Sequence, residues 1–157
     1  MAHHPNHYLA QINIAKALAE MDDPIMHGFV SRLDEINALA DDAPGFVWRL
    51  QTDDGDATSL RVFDDPMLII NMSVWEDVET LKEFTYKTMH VEVFKERKKW
   101  FTKLGRPHLA MWWIPVGHTP MLDEAKEKLE LMAEHGPTPE AFTFSKVFEA
   151  PTAEPVV

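Results

Sequence analysis

The chain has 157 residues, 45% of them hydrophobic and 26% charged, with a formal net charge of −11 and no cysteine. That size and balance fit one soluble globular domain, and the acidic surplus argues against nucleic acid or an anionic membrane as partner, because both reward positive charge. Disulfides, thiolate metal sites and a cysteine nucleophile are excluded, no apolar run approaches the roughly 20 residues that span a bilayer, and no apolar leader follows Met1, so a cytoplasmic location is expected.

The residues before His7 read as a loose arm, and His7 to Ile14 reads as the first strand. Pro24 opens a helix in its first turn, where a missing N–H costs little, and Met26, Phe29, Val30, Leu33, Ile36 and Ala40 form one apolar stripe. Asp41, Asp42, Pro44 and Gly45 end that helix. Phe46 to Gln51 is a second strand, Asp53 to Asp56 is turn chemistry, and Ser59 to Phe63 suggests a short extra strand. Met67 to Trp75 is a stronger strand. Asp77 caps a helix that meets no Gly or Pro until Gly105, long enough that a kink or break near Thr88 is expected. His108 to Pro115 is the fourth main strand. Thr119-Pro120 starts another helix with Leu122, Ala125, Leu129 and Met132 on its buried side, and Gly136-Pro137 stops it. Ala141 to Phe148 is extended and too apolar for a free tail. The order is the ferredoxin-like split βαβ (βαββαβ) of an α+β fold, with a helix and a strand appended, in a single domain over 1–157 whose core is about 7–148.

Side chains alternate along a strand, so the faces can be read separately. Leu68, Ile70, Met72 and Val74 share one face of the third main strand, and Ile69, Asn71, Ser73 and Trp75 share the other. Tyr8, Ala10, Ile12 and Ile14 oppose Leu9, Gln11 and Asn13, while the fourth main strand is apolar on both sides. The purely apolar face is expected to pack on the helices. The mixed face is expected to line a cavity or an interface, because a few placed polar groups on an apolar wall are what ligand sites look like. The plainer reading is a set of half-exposed sheet residues bonded to water.

An unbroken long helix would stack Tyr86, His90, Val93, Arg97 and Trp100 on one stripe, suited to a pocket wall, a subunit contact or a half-exposed amphipathic surface. His90, Glu92, His108 and His118 lack ligand-type spacing, so no metal site is expected. No phosphate-binding Gly-rich loop or nucleophile elbow is present.

The segments Leu9 to Asn13, Gly45 to Arg49, Asn71 to Trp75, Phe84 to His90, Arg97 to Phe101, Trp112 to Pro115 and Gly136 to Phe144 together resemble an uncharacterised family of the dimeric α+β barrel superfamily. The superfamily includes antibiotic-biosynthesis monooxygenases and haem-degrading monooxygenases. The resemblance runs from about Tyr8 to Pro151 and implies a homodimer whose sheets meet, with a pocket between sheet and helices in each subunit. The apolar second face of the strands points the same way, with Trp112, Trp113 or the mixed-face residues at the interface. The resemblance further implies a flat, electron-rich aromatic or phenolic substrate oxidised by a monooxygenase without a cofactor. In that reading Trp75 stacks on the molecule, Asn71 and Asn13 hold its oxygens, and His90 or Tyr86 handles the proton; Gln11, Trp48, Arg97 and Trp113 are further substrate contacts. The competing readings are a non-oxidative ligand-binding, lyase or isomerase protein, and a haem-binding protein with His90 as ligand and Arg97 near a propionate.

Overall fold

The computed structural model describes residues 6–19, 23–50, 68–89, 101–102 and 108–150. Strand β1 (His7–Ala17) is central. On one side it pairs with β3 (Leu68–Trp75), which carries β2 (Phe46–Arg49) on its far edge. On the other side it pairs with β5 (Leu109–Pro115) and, further along, with the two-residue β4 (Phe101–Thr102). Every pairing is antiparallel. The four longer strands lie in the order β2-β3-β1-β5, the ferredoxin-like α+β sheet expected from the element order.

Local chemistry sets the helix ends. Asp23 Oδ1 accepts the Ile25 N–H at 2.9 Å, and a 3₁₀ turn over Pro24–Met26 leads into α1 (His27–Asp41). Asp77 Oδ1 accepts the Thr80 N–H at 2.8 Å and Thr80 Oγ1 accepts the Asp77 N–H at 3.4 Å, a reciprocal cap on α2 (Val78–Met89). Gly45, at φ 82°, sits against that cap, where a Cβ would collide with the Thr80 side chain. Helix α3 (Leu122–His135) starts after Met121, two residues beyond the expected Thr119-Pro120, and ends at Gly136, whose N–H donates to Met132 O.

The long second helix does not run unbroken to Gly105, because Phe101 and Thr102 pair as strand with Ala17 and Lys16. The expected strand at Ser59 to Phe63 lies outside the described residues.

Both faces of the sheet are covered, in a way that corrects the expected layering. The apolar face carries Ala10, Ile12, Ile14, Ile70, Met72, Val74, Trp112 and Ile114, and α3 closes it with Ala125, Leu129 and Met132. The mixed face carries Leu9, Trp75 and Met111, and it receives Ala40 of α1, Leu81 of α2 and Phe142. The two helices of the ferredoxin-like unit therefore lie on the mixed face, and the appended helix takes the apolar one. Helix α3 follows β5 directly and has its own apolar stripe, so it folds back onto the nearest uncovered surface. Trp112 is only 2% exposed, and its Nε1–H donates to Glu124 Oε2 at 2.8 Å. The apolar face is thus closed within the chain, and Trp112 lies in its core instead of on an open surface.

The last segment is anchored, as expected. Met111 N donates to Phe142 O at 2.7 Å and Phe142 N returns a bond to Met111 O at 2.9 Å, on the edge of β5 away from β1. Ala141 and Phe142 are fully buried in the cores of opposite faces. Further along, Trp113 Nε1 donates to Phe148 O at 2.8 Å. Truncating one buried Phe typically costs about 3–5 kcal/mol. Ending the chain at Glu140 should therefore lower the melting temperature by on the order of 10 °C; an unchanged calorimetric melt would contradict the anchoring.

Glu124 joins α3 to both the sheet and the loop before it: its Oε1 is hydrogen-bonded to His118 Nε2 at 2.8 Å while its Oε2 holds Trp112. Burial pushes the carboxyl up, but the bonds from His118 and Trp112 and the His118 charge outweigh it and hold Glu124 below its ordinary value of 4.5. A depressed carboxyl stabilises the fold above its unfolded pKa, and that contribution disappears as pH falls through the folded value. Glu124→Gln should cost about 1–2 kcal/mol at neutral pH. Urea titrations of both proteins should show this gap narrowing as the pH is taken below 4.5; a gap constant with pH would contradict the charged-carboxylate account.

Candidate functional site

The register builds the site. On the mixed face Trp113, Leu9 and Trp75 lie directly across from one another on β5, β1 and β3. The next row is Met111, Gln11 and Ser73, and the third is Leu109, Asn13 and Asn71. The rows grade from sealed to open. Leu9 and Trp75 have no exposed surface, Gln11 and Ser73 are buried, and Asn13 and Asn71 are exposed.

One hydrogen-bond chain crosses the rows. Trp75 Nε1 donates to Ser73 Oγ at 2.8 Å. Gln11 Nε2 donates to the same Ser73 Oγ at 2.8 Å and to Asn71 Oδ1 at 2.8 Å. The buried donors Trp75 Nε1 and Gln11 Nε2 are therefore both satisfied within the floor, as burial requires. The Asn71 carbonyl is taken by Gln11, so its Nδ2–H group is the one left for another acceptor. Asn13 stands opposite Asn71 in the ladder, where facing Cβ atoms are about 5 Å apart. Neither Asn71 Nδ2 nor the Asn13 amide has a partner among the described residues. The result is a pair of exposed amides side by side at the edge of a buried polar floor, with the Asn71 Nδ2–H group turned free by the bond from Gln11.

The residues singled out from sequence divide accordingly. Gln11, Asn13, Asn71 and Trp75 share this face, and the first three form or adjoin the amide pair. Trp75 is not positioned to stack on a ligand. Its ring lies 5.0 Å from that of Phe84 in a stacked arrangement and 5.5 Å from Phe46 edge-on, which seals it from solvent. Trp113 is on the same face, two rows from the amides. Trp48 packs against the opposite core, with Leu50, so it is removed from this face by the bulge between Phe46 and Trp48. Tyr86 is 54% exposed, with Lys82 Nζ 5.8 Å from its ring centroid, while Val78, Leu81 and Phe84 form the inward side of α2. Tyr86 thus faces away from the sheet. His90 and Arg97 lie outside the described residues.

Two features were not read from sequence. One is Ser73 as the shared acceptor; the other is Gln11 as the group that fixes Asn71. Alternation placed both on the right face, but their bond depends on register, which alternation alone does not fix.

Among the described residues no three His, Asp or Glu side chains gather where they could hold a metal ion. Among them, too, no helix is long and apolar enough to cross a membrane. A cleft of about 260 Å³ opens on the mixed face at the Trp113 row, between Val78, Glu79 and Lys82 of α2 and Val147 and Phe148.

The fold is a ferredoxin-like α+β sandwich with its second face closed by an added helix. Residues 8–156 match the family described as a domain of unknown function, DUF3291, and the chain belongs to that family. No curated protein sequence matches it. Among solved structures it is similar to SnoaB, a cofactor-independent oxygenase from Streptomyces nogalater, at 14% identity over 74% of this chain and 97% of that one, with a TM-score of 0.44. It is also similar to NE2512, a protein of unknown function from Nitrosomonas europaea, at 9% identity over 73% of this chain and 94% of the other, with a TM-score of 0.45.

Removing Ser73 Oγ strands two buried donors at once. Ser73→Ala should therefore cost about 2–4 kcal/mol, several times an ordinary surface substitution. Equilibrium unfolding in urea measures it, and a loss below about 0.5 kcal/mol would show that the bonds are not made.

Proposed function

We propose that this protein binds a flat, electron-rich aromatic or phenolic molecule at the Asn13–Asn71 end of the mixed face and oxidises it without a cofactor. The observation that supports this reading is the amide pair: Gln11 holds the Asn71 carbonyl, which leaves the Asn71 N–H group for a ligand oxygen, and the unbonded Asn13 amide stands opposite it, able to turn its own N–H to the same oxygen. Paired, preorganised donors stabilise a phenolate or enolate oxygen as its charge develops. That anion is the species able to pass electrons to molecular oxygen. One oxygen atom ends on a ring carbon as a carbonyl, and the other leaves as water with the one hydrogen of that carbon and the hydrogen of the phenol, whose own oxygen becomes the second carbonyl of the quinone. The protein's share of this chemistry is to bind the ring, accept the first proton and hold the anion.

His90 is the proposed proton acceptor, because an imidazole exchanges protons near neutral pH and the residue directly follows α2. Trp75 supports the floor instead of touching the ligand.

The test is oxygen uptake with a panel of hydroquinones and polycyclic phenols and no added cofactor. Asn71→Ala should lower kcat/KM by about 10²-fold, the usual loss for one oxyanion donor. His90→Ala should lower kcat more than it weakens binding. Uptake undiminished in both variants would contradict the assignment. Ligand binding that depends on Asn71 but consumes no oxygen would identify the non-oxidative ligand-binding protein instead.

A further inference from the structure

The cleft at the Trp113 row is separate from the amide pair. Trp113 and Leu109, the β5 member of the amide row, lie roughly 13 Å apart along the strand, with the buried Met111, Gln11 and Ser73 row between them. The walls of the cleft are apolar: Val78 of α2, Trp113 of β5, and Val147 and Phe148 of the returning segment. The Trp113 indole N–H is taken by Phe148 O, so this residue offers its ring and not a donor. Two opposite charges, Glu79 and Lys82, line the α2 side, at a spacing that puts them on one side of the helix. That spacing suits an ion pair, yet none is made. Among the described residues Glu79 has no hydrogen bond or ion pair, and Lys82 has only the Tyr86 ring, 5.8 Å from its Nζ. A ring contact at an exposed site is a weak hold on an ammonium.

We propose that this cleft binds a free aromatic amino acid, with its ammonium on Glu79, its carboxylate on Lys82 and its ring against Val78, Trp113 and Phe148. The site stands apart from the amide pair and uses none of its groups. The walls are still partly wet, Val147 being 44% exposed, so a ring placed there removes apolar surface from water on both partners. A neutral ring alone would lie beside two unpaired charges. A ligand with only an ammonium would meet Lys82 as well as Glu79, and one with only a carboxylate would meet Glu79. A zwitterion sets each charge against its opposite. Glu149 also lines the cleft, giving two carboxylates to one ammonium, so of the single-charge ligands the amine is the stronger competitor. A volume of about 260 Å³ lies just under the usual range for ligand pockets, which limits the occupant to one ring.

The experiment follows the Trp113 indole N–H signal of the full chain by nuclear magnetic resonance during titration with phenylalanine, with phenethylamine and with hydrocinnamate. Phenylalanine should shift the signal along a saturating curve with a Kd on the order of 1 mM. It should bind about fivefold more tightly than either single-charge analogue. Glu79→Gln should weaken phenylalanine about fivefold without weakening hydrocinnamate, and Lys82→Gln should do the same without weakening phenethylamine. Glu79, Lys82 and Val147 are exposed, so substitutions there leave the core intact, which a thermal melt verifies. Val147→Trp fills the cleft and should abolish the shift. Phenethylamine binding as tightly as phenylalanine, with phenylalanine unaffected by Lys82→Gln, would overturn the zwitterion in favour of a simple amine. No saturation at about 20 mM phenylalanine, or a shift that survives Val147→Trp, would overturn the site itself.

Discussion

The register between β1 and β3 is the constraint on which the rest of this structure depends. With Leu9 opposite Trp75, Gln11 falls opposite Ser73 and Asn13 opposite Asn71. A slip of one residue would turn all of these side chains to the other face and expose Ile12, Ile14, Met72 and Val74 in their place. Because both faces are packed, such a slip has no acceptable alternative. The polar groups are therefore confined to one face and must satisfy one another where they are buried. Ser73 does this for both Trp75 and Gln11, and Gln11 passes the constraint outward to Asn71. The exposed end of the site is thus oriented by bonds made under cover.

The segments added to the ferredoxin-like unit change what the sheet can do. Helix α3 closes the apolar face, and Glu124 ties it to Trp112 and His118 at once. The segment that follows returns along the edge of β5 and puts Phe142 under the mixed face. A bare antiparallel sheet of this composition would have to hide its second face against another chain. Here the chain supplies that cover itself. The same return also lines a cleft with Thr143, Phe144 and Ser145.

Much of this was legible in the sequence, and the reasons for the failures are specific. Strand alternation separated Gln11, Asn13, Asn71, Ser73 and Trp75 from the apolar set, because period-two patterning survives whatever the sheet packs against. Asp77 and Gly136 marked helix ends because caps are local chemistry. Which helix covers which face was not local. Met26, Phe29 and Ala40 on one helix and Ala125, Leu129 and Met132 on another are equally good stripes, and only chain connectivity decides between them. Trp75 was misread for a related reason. An aromatic on a mixed face looks like a stacking platform until Phe46 and Phe84, far away in sequence, close over it. Tyr86 belonged to a spacing argument that assumed one long helix, and at Tyr86 that spacing leads away from the sheet.

The chemistry proposed for the site asks little of the protein beyond geometry: an Asn71 donor held in place, Asn13 opposite it and a buried floor beneath them. Gln11 is the residue that directs Asn71, and the strand register puts Asn13 opposite it. The most direct test is to follow the side-chain amide resonances of Asn13, Asn71 and Gln11 by nuclear magnetic resonance while 2-naphthol is added. The account predicts that the Asn13 and Asn71 signals shift together along one saturating curve, with the buried Gln11 signal moving less. Binding of the ligand with both asparagine signals unmoved would contradict it.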